Sequence, residues 1–523
     1  MESQWTSVEK QVWTTVLALS LTLFLIIVRR GRKTSKNYRM PPGPWGFPVL
    51  GTIPRLAGLT HEVLTNFAKN YGPLMTLKLG SQSVVVASSS KVAEEFLKAN
   101  DRVWASRPPG TVTKVLSYNC SDLICASYGP RWRYARKIFM VELLSARRIS
   151  SFQAARKQEI LRAINDAITG SCSGTVPVQL DILIRRSTTN IVMRMLMNEQ
   201  SLTKSPNERK ISEDFHQAVK DGLQLLESFY VGDFIPWLDW LDPQGLKKKL
   251  SAVSKKCDTM WQGILDDHKR KLEAARDDQA TDSSKSEEQD IVDALLTRLV
   301  DDDDGENLTE VQMKALIMNI IFAGTDTTSN TLQAVLGELL KNPSIMEKAQ
   351  AEMDSVVGRK RLVEESDLPN LPYLNAIVKE NFRLHPPGPI LVPHMSTEDS
   401  EILGYEIPAG TTLFVNLHAI HRDPALYERS LDFYPERFLG SEKDVHGFDF
   451  DLLPFGAGRR MCPGKGLGLA VVLYTAALYI QTCDLRLPEN VKPEDLTDLI
   501  ALRRSSLLQA LVHPRIPKDL VMF

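Results

Sequence analysis

Cys462 is the residue of this sequence that best suits metal chemistry, because it lies in the glycine-rich stretch 455–464 (FGAGRRMCPG). The glycines let the chain turn tightly and approach a flat cofactor closely. Pro463 suits the first position of a helix, and the apolar run that follows predicts a helix from 464 to 481. Free N–H groups and the positive dipole end of a helix lower the pKa of a thiol. We therefore expect Cys462 to be an anionic ligand, and an ordinary buried cysteine is the alternative.

Two groups of hydrogen-bond donors suit the acidic edge of a cofactor. Arg460 stands two residues before Cys462 and offers a fixed cation. Trp132 and Arg136 are four residues apart on a predicted helix, so an indole donor and a guanidinium share one face. The alternative is a basic helix face that is only solvated.

A second candidate site, 323–328 (AGTDTT), falls in the middle of a long predicted helix. The capping-box pattern 309–312 predicts its start, and Asn342-Pro343 its end, which gives a length of roughly 48 Å. Small residues, an acid and two hydroxyls stand where packing favours leucine. They indicate either a functional site or threonines that bond back to a carbonyl and bend the helix.

Glu380 and Arg383 are three residues apart on a helix that Pro386-Pro387 end, so they can form an ion pair. An ion pair on the surface would contribute little to stability. Three histidines follow, and a lone histidine is more often packed or exposed than a ligand: His394, His418 and His421.

Composition excludes some classes of function. The chain has 523 residues, is 43% apolar, and balances 63 basic against 64 acidic residues for a net charge of -1. Such a balance gives no sign of nucleic-acid binding. Six scattered cysteines match no zinc or disulfide framework, which fits a reducing compartment. No G-x-G-x-x-G nucleotide fingerprint opens a helix after a strand, so any electrons must come from a partner.

The segment 12–28 carries no charge and would span about 25 Å as a helix, at the short end of a transmembrane length. Basic residues follow it at once, so the positive-inside rule predicts that the rest of the chain is cytosolic. A cleaved signal peptide is the alternative, but Glu2 and Glu9 precede the apolar run and no small-residue cleavage site follows. Prolines between Met40 and Pro48 predict a stiff connection to the globular part.

Short strands are predicted at 74–79 and 83–88, on either side of a turn, and most of the remaining chain is predicted to be helical. Residues 108–128 are predicted to be rich in loops. Charged and small residues between Arg270 and Asp304 predict an exposed connection, apart from one short apolar-periodic piece at 291–300.

The arrangement F-x-x-G-x-R-x-C-x-G, formed by Phe455, Gly458, Arg460, Cys462 and Gly464, resembles the haem loop of the cytochrome P450 family. The segments 323–328, 379–387 and 435–438 match further motifs in the family's order, and the chain is similar to plant A-type microsomal members. The resemblance implies a mainly α fold with small β-sheets. It also implies four regions: a lumenal N-terminus at 1–11, a transmembrane anchor at 12–28, a basic and proline-rich linker at 29–51, and a haem-binding catalytic domain at 52–523.

The same resemblance implies roles for individual residues. Cys462 would be the axial ligand of haem b in the loop of Phe455, and side chains at the propionates would be Arg460, Trp132, Arg136 and His394. Asp326 and Thr327 would deliver protons for oxygen activation, and Ala323 and Gly324 would leave room for dioxygen. A buried structural triad would consist of Glu380, Arg383 and Arg437.

The implied function is monooxygenation: insertion of one atom of O2 into a hydrophobic small molecule, of the phenolic, flavonoid or terpenoid kind found in plant specialised metabolism. Electrons would come from NADPH-cytochrome P450 reductase, docking near Arg131, Arg133, Arg136 and Lys137, on a single-pass protein of the endoplasmic reticulum membrane. The segment 108–128 would cover the substrate. At 498–501 the sequence departs from the Gly-Leu-Thr common in plant relatives. Two alternatives remain: a haem-thiolate isomerase or dehydratase, and a non-catalytic haem-binding membrane protein.

Overall fold

The computed structural model describes residues 15, 38–56, 60–172, 174–197, 217–226, 228–278, 290–300, 308–496 and 508–521. Apart from residue 15, the predicted anchor at 12–28 lies outside these residues, and so does the turn at 498–501. Within the described part of the chain, no helix is both long enough and apolar enough to cross a membrane.

Helices make up most of the described chain, as the sequence predicts. They are α1 (Thr60–Tyr71), α2 (Ser90–Glu94), α3 (Asp101–Trp104), α4 (Thr111–Leu116), α5 (Pro130–Ile138), α6 (Ala146–Ser151), α7 (Gln153–Gly170), α8 (Leu180–Met197), α9 (217–226), α10 (Val231–Phe234), α11 (Leu246–Asp278), α12 (Ile291–Val300), α13 (Glu310–Lys341), α14 (Pro343–Val356), α15 (Pro372–Leu384), α16 (Leu417–Ile420) and α17 (Lys465–Thr482). Turns of π-helix follow α2 at Glu95–Ala99 and α5 at Phe139–Leu143.

Helix α13 is the central element, and its predicted start and end are confirmed. The Thr309 hydroxyl accepts from the Gln312 N–H at 3.2 Å, while the Gln312 side chain accepts from the Thr309 N–H at 2.8 Å. The helix ends at Lys341, just before Pro343. It packs against α8, α11, α15 and α17, so most of its length is buried. A buried helix of this kind places residues 323–328 in the interior of the fold.

Helix α17 begins at Lys465 and ends at Thr482, whereas the sequence predicts 464 to 481 with Pro463 in the first position. Pro463 and Gly464 instead form a turn before the helix. The reason is local, because the N–H groups of Gly464 and Lys465 are directed at the Cys462 sulfur. The chain must turn there to bring both donors to one atom.

In the part of the chain that the structure describes, nine strands form three small sheets. They are β1 (Leu74–Leu79), β2 (Gln82–Ala87), β3 (Val178–Gln179), β4 (His394–Met395), β5 (Ser400–Ile402), β6 (Tyr405–Ile407), β7 (Thr412–Val415), β8 (Cys483–Arg486) and β9 (Gln509–Pro514). The predicted hairpin is confirmed, with Leu74 opposite Ala87 and Leu79 opposite Gln82. In the larger sheet, of order β1-β2-β7-β4, strand β7 runs parallel to β2.

Two apolar clusters position the cysteine loop. The larger surrounds α13 and α17, and the second joins this sheet to helix α2 and to the segment that carries Phe450, Leu453 and Ala457. The loop therefore lies where the helical and sheet regions meet. The apolar-periodic piece at 291–300, which the sequence sets apart from the exposed connection, forms α12, and its Ile291, Val292 and Leu295 are buried in the larger cluster.

Candidate active site

The loop before Cys462 has a shape that requires glycine. Gly456 and Gly458 have φ values of 68° and 67°, in the left-handed region that other residues rarely adopt. A Cβ on Gly458 would lie 2.4 Å from the Leu97 carbonyl oxygen. The Cys462 N–H donates to the Phe455 carbonyl at 2.9 Å and closes the loop. The glycines thus let the loop pack directly on the backbone of the preceding segment.

Side chains from two other elements hold this loop. The Phe455 ring packs edge-on against Phe382 of α15, with centroids 5.1 Å apart. Asp101 of α3 accepts from the Arg459 guanidinium at 2.6 Å and from the Arg459 N–H at 3.2 Å. Asp101 was not predicted, because nothing in the local pattern indicates a partner so distant in the chain.

Burial raises the pKa of the Cys462 thiol, although the N–H groups of Gly464 and Lys465 and the Arg136 charge oppose the rise. The expectation of a lowered pKa from the helix N-terminus is therefore wrong for the thiol alone, because loss of solvent outweighs the donors. A coordinated cation deprotonates a thiol outright. The arrangement thus suits a sulfur that becomes a thiolate when it binds a metal.

Arg460 is buried and stacks over the Trp132 ring, 4.3 Å from its centroid. Its guanidinium donates to the carbonyls of Ala105 and Ala126, each at 2.5 Å. Burial lowers the pKa of Arg460 to about 10. The Trp132 indole N–H donates to the Leu123 carbonyl at 2.9 Å. The indole N–H is therefore already used by the main chain and does not make the predicted hydrogen bond to a haem propionate in this arrangement.

Arg136 holds the main chain directly before Cys462. Its guanidinium donates to the Met461 carbonyl at 2.7 Å, directly before Cys462. Burial lowers the pKa of Arg136, and the nearby Cys462 opposes that change. Arg131, Arg133 and Lys137 on the same helix are exposed. The helix therefore presents one cation to the loop and three to solvent.

Arg107 is a buried cation that the sequence analysis missed. It donates to the carbonyls of Val392 at 2.6 Å and Pro393 at 2.8 Å. Burial, together with the charge of Arg460, lowers the pKa of Arg107 to about 9. The sequence feature that could have indicated a fixed position for Arg107 is that it directly precedes Pro108-Pro109, where the chain is stiff.

His394 is buried beside these two arginines. Its Nδ1 donates to the Trp104 carbonyl at 2.9 Å, which leaves the lone pair on Nε2. Burial and then the charges of Arg107 and Arg460 hold the pKa of His394 well below its usual value, so the ring is neutral. A neutral ring with this tautomer accepts rather than donates. The predicted propionate contact would need a proton on Nε2.

The three arginines near the cysteine loop, together with Cys462, fit haem b. Arg107, Arg136 and Arg460 all end on main-chain carbonyls, and among the described residues no carboxylate pairs with them. Asp122 lies near two of them, but its oxygens accept from Asn319 and the Cys125 N–H. Buried cations without anionic partners are costly. Haem b has two carboxylates that would pair with these cations and an iron that would bind Cys462.

Ala323 and Thr327, one turn apart, form an exposed face in the middle of α13, most of whose residues are buried. The Thr327 hydroxyl donates to the Ala323 carbonyl at 2.6 Å. Gly324 faces elsewhere: a Cβ there would lie 3.1 Å from Val192 of α8. The space left by Gly324 is filled by helix packing, whereas Ala323 borders the open face.

Asp326 is held by partners that the sequence did not indicate. Its carboxylate pairs with Arg185 of α8, and Asn330 donates to it at 3.1 Å. Arg185 is partly exposed. Asp326 therefore connects the mid-helix site to a charged residue at the surface.

The predicted triad is assembled and buried. Arg383 donates to the two Glu380 oxygens at 2.7 and 2.8 Å, and Arg437 donates to one of them at 3.1 Å. Arg383 also donates to the carbonyls of His421, Ser430 and Asp432, and Arg437 to those of Glu428 and Arg429. The triad thus fixes the segment 421–437 against α15.

Known proteins resemble this chain over most of its length. The cytochrome P450 family model matches residues 41–511. A flavonoid 3'-monooxygenase of Arabidopsis thaliana is 40% identical over 508 residues, 96% of each chain. A flavonoid 3',5'-hydroxylase of Crocosmia x crocosmiiflora is 38% identical, over 95% of this chain and 96% of the relative. A solved structure of a zebra fish cytochrome P450 with abiraterone matches with a TM-score of 0.70 and 25% identity, covering 87% of this chain and 99% of that chain.

The helical fold, the cysteine loop and the buried arginines define a haem-thiolate protein. Haem iron held by a thiolate activates dioxygen, because the thiolate pushes electron density that favours O–O cleavage. The chain belongs to the cytochrome P450 family and is a monooxygenase that uses haem, O2 and a small-molecule substrate. Its own residues hold the loop of Cys462 and place a hydroxyl, that of Thr327, on the exposed face of α13.

Proposed function

We propose that this monooxygenase hydroxylates the 3' position of a flavonoid, taking electrons from NADPH-cytochrome P450 reductase at the endoplasmic reticulum membrane. One observation carries the substrate class: relatives named flavonoid 3'-monooxygenase, from both Arabidopsis thaliana and Petunia hybrida, are each 40% identical over more than nine-tenths of this chain. Ligand pockets are mostly apolar with a few placed polar groups, which suits a flat aromatic ring system that carries hydroxyls.

The segment 108–128 supports this proposal as a cover over the substrate. It contains helix α4 within the predicted loop region. Asn319 of α13 accepts from the Leu123 N–H at 2.8 Å and donates to Asp122 at 2.9 Å. The cover is thereby fixed to the helix that carries Ala323 and Thr327. Substrate would lie between them.

Thr327 is the residue to which we assign proton delivery. Its oxygen lies on the exposed face of α13, and its hydroxyl proton is held at the Ala323 carbonyl. Asp326, linked to Arg185 at the surface, would resupply protons from solvent. A hydroxyl and an acid in neighbouring positions suit a two-step proton relay.

The exposed cations of α5 support docking of the reductase. Arg131, Arg133 and Lys137 face solvent on the helix that holds the cysteine loop through Arg136. Opposite charges on a partner would steer it to this face. Electrons would then enter close to Cys462.

Attachment to the membrane is supported by two apolar segments that meet at the β1–β2 turn. Trp45 and Phe47 are exposed on one, and Trp237 and Trp240 on the other. The N–H of Gly80 donates to the Leu50 carbonyl at 3.1 Å, and that of Ser81 to the Phe234 carbonyl at 2.8 Å, so both segments contact this turn. Clustered exposed aromatic residues suit a membrane interface. With the apolar stretch 12–28, they would hold the protein on the bilayer.

The test uses microsomes that contain the full chain and a reductase. A flavonoid with one hydroxyl on its B ring, a terpenoid and a simple phenol are each incubated with NADPH and O2. We expect the flavonoid to gain one hydroxyl at the 3' position, and the products to disappear without NADPH. Turnover of the terpenoid or phenol alone would overturn the substrate class. Conversion without NADPH would instead favour a haem-thiolate isomerase.

A further inference from the structure

Two histidines and a glutamate lie together outside the residues assigned to the haem site. His61 and Glu62 are in the first turn of α1, and His418 is in α16, directly after the parallel strand β7. The ligating atoms of the three side chains all lie within 4.8 Å of one another. The two imidazole rings are tilted by 55°, with centroids 4.8 Å apart. The helix and the turn thus bring three metal-ligand types to one place.

Hydrogen bonds around Thr65 fix the tautomer of His418. The Thr65 hydroxyl donates to the His61 carbonyl at 2.7 Å, so its proton is used. Its oxygen must therefore accept from Nδ1 of His418, 3.0 Å away. Asn416 donates to the same oxygen at 3.1 Å. With the proton on Nδ1, the lone pair of His418 is on Nε2, the form that binds metals.

The protonation state of His418 also suits a ligand. Burial lowers the pKa of His418 to about 3, and the charges of Arg422 and His61 add to this effect. The neutral ring is the form that binds a metal, but the same burial and positive charges also disfavour a cation, so the geometry of the three side chains carries the site.

We propose that His61, Glu62 and His418 bind a divalent transition-metal ion of the zinc type, which ties helix α1 to the α16 turn. A tetrahedral ion with bonds of 2.0–2.1 Å requires ligand atoms about 3.4 Å apart. The three ligating atoms lie within 4.8 Å of one another, so binding would draw them closer by rotation of the side chains. Water completes the coordination. The site is separate from the haem chemistry and independent of the proposed substrate.

The ligand set and local charge select the metal. Two imidazoles and one carboxylate suit zinc, whereas calcium and magnesium prefer oxygen ligands. The charge of Arg422 lies close to both His418 and Glu62. Its guanidinium donates to the Leu384 carbonyl. Because this cation opposes simple electrostatic attraction, ions that depend on charge alone will bind poorly.

The experiment measures zinc binding to the full-length holoprotein by calorimetry, with magnesium as comparison. We expect one zinc equivalent that is lost, or weakened at least tenfold, in His61→Ala and His418→Ala. Glu62→Gln should weaken it less, and Thr65→Val about tenfold, because the hydroxyl only orients His418. His446→Ala is the matched control, since His446 is an exposed histidine outside the cluster. Unchanged zinc affinity in both His61→Ala and His418→Ala would overturn the proposal.

Two further measurements keep the result interpretable. The carbon monoxide band of each variant shows whether the protein still folds around haem. Zinc K-edge absorption on the wild-type complex should show imidazole nitrogen and oxygen ligands, and sulfur in the zinc shell would assign the ion to a cysteine and overturn the proposal. Zinc should also raise the melting temperature of wild type by several degrees and leave that of His418→Ala unchanged, because the ion joins distant parts of the chain.

Discussion

The Thr327 hydroxyl donates to the Ala323 carbonyl at 2.6 Å, while its oxygen remains on the exposed face of α13. This contact matches the back-bonded threonine that bends a helix, but buried threonines of α13 make it too. Thr325 donates to Ile321 at 2.8 Å from a buried position. The contact alone therefore does not distinguish a structural from a catalytic role, and the two threonines differ in that Thr327 is exposed and Thr325 is buried.

Removing the Thr327 hydroxyl should change the fate of oxygen and little else. Thr327→Ala should keep its haem and consume NADPH at a comparable rate, but divert much of it to hydrogen peroxide, because a proton donor is missing. Asp326→Asn should slow turnover at an earlier step, the supply of protons to Thr327. The measurement is product formed per NADPH consumed. Thr325→Ala is the control, and equal coupling in Thr325→Ala and Thr327→Ala would remove Thr327 from catalysis.

Cys462→Ser should abolish the red-shifted Soret band of the ferrous carbon monoxide complex, because a serine hydroxyl does not replace a thiolate ligand. Much of the polypeptide should remain in the membrane fraction. Cys172→Ser, which changes an exposed cysteine, should leave the band intact. A normal band in Cys462→Ser would refute the ligand assignment.

Arg383→Ala should prevent accumulation of stable holoprotein. It leaves Glu380 charged and buried and removes the donors to three carbonyls, a loss of about 3 to 5 kcal/mol in the free energy of unfolding. Haem content and melting temperature are the measurements. Arg429→Ala is the matched control. Arg429 pairs with Asp432 at the exposed surface, so this variant should lower the free energy of unfolding only slightly. Similar stability of the two variants would contradict the structural role.

Deletion of residues 1–39 should release much of the protein from microsomes, because it removes the stretch 12–28. Some binding should persist through the aromatic segments at the β1–β2 turn. Adding Trp237→Ser and Trp240→Ser to the deletion should release the remainder, whereas Phe448→Ser, an exposed phenylalanine elsewhere, should not. Fractions after high-speed centrifugation give the result, and full retention of the triple variant would refute this account of the membrane contact.

The buried pair of His268 and Asp290 should make stability depend on pH. His268 donates from Nδ1 to the Ile264 carbonyl at 2.8 Å, and its Nε2 lies 2.9 Å from Asp290, so the charged ring satisfies both contacts. Burial alone would lower the pKa of His268, but the hydrogen bond and charge of Asp290 outweigh it, and the pKa of His268 is raised. The nearby Asp293 acts in the same direction.

A raised pKa in the folded state stabilises the protein fully below the unfolded pKa near 6.5, and the gain is lost as pH rises through the folded value. His268→Gln should therefore lower the melting temperature most in mildly acid solution and less at alkaline pH. His446→Gln, at an exposed histidine, should show no such trend. A His268→Gln effect that grows with pH would contradict the sign.

Local patterns predicted the local parts of the molecule. The cap and end of α13, the β1–β2 hairpin, the turn around Cys462 and the spacing of Glu380 and Arg383 all depend on residues close in sequence. Arg107, Arg185 and Asp101 were missed because their partners lie far away in the chain, and periodicity carries no information about them. The start of α17 was misplaced because two N–H groups were needed at the sulfur.

The parallel pairing of β2 with β7 has a consequence for biosynthesis. Ala87 pairs with Val415, roughly 330 residues later, so this sheet has a very high contact order. At a ribosomal rate of about 5 to 20 residues per second, β2 must wait about 15 to 65 s for its partner strand. During that time its edge is open to pairing with other chains. Nascent copies on one polysome would therefore be most prone to misassociate before β7 emerges, and chaperone demand should be greatest then.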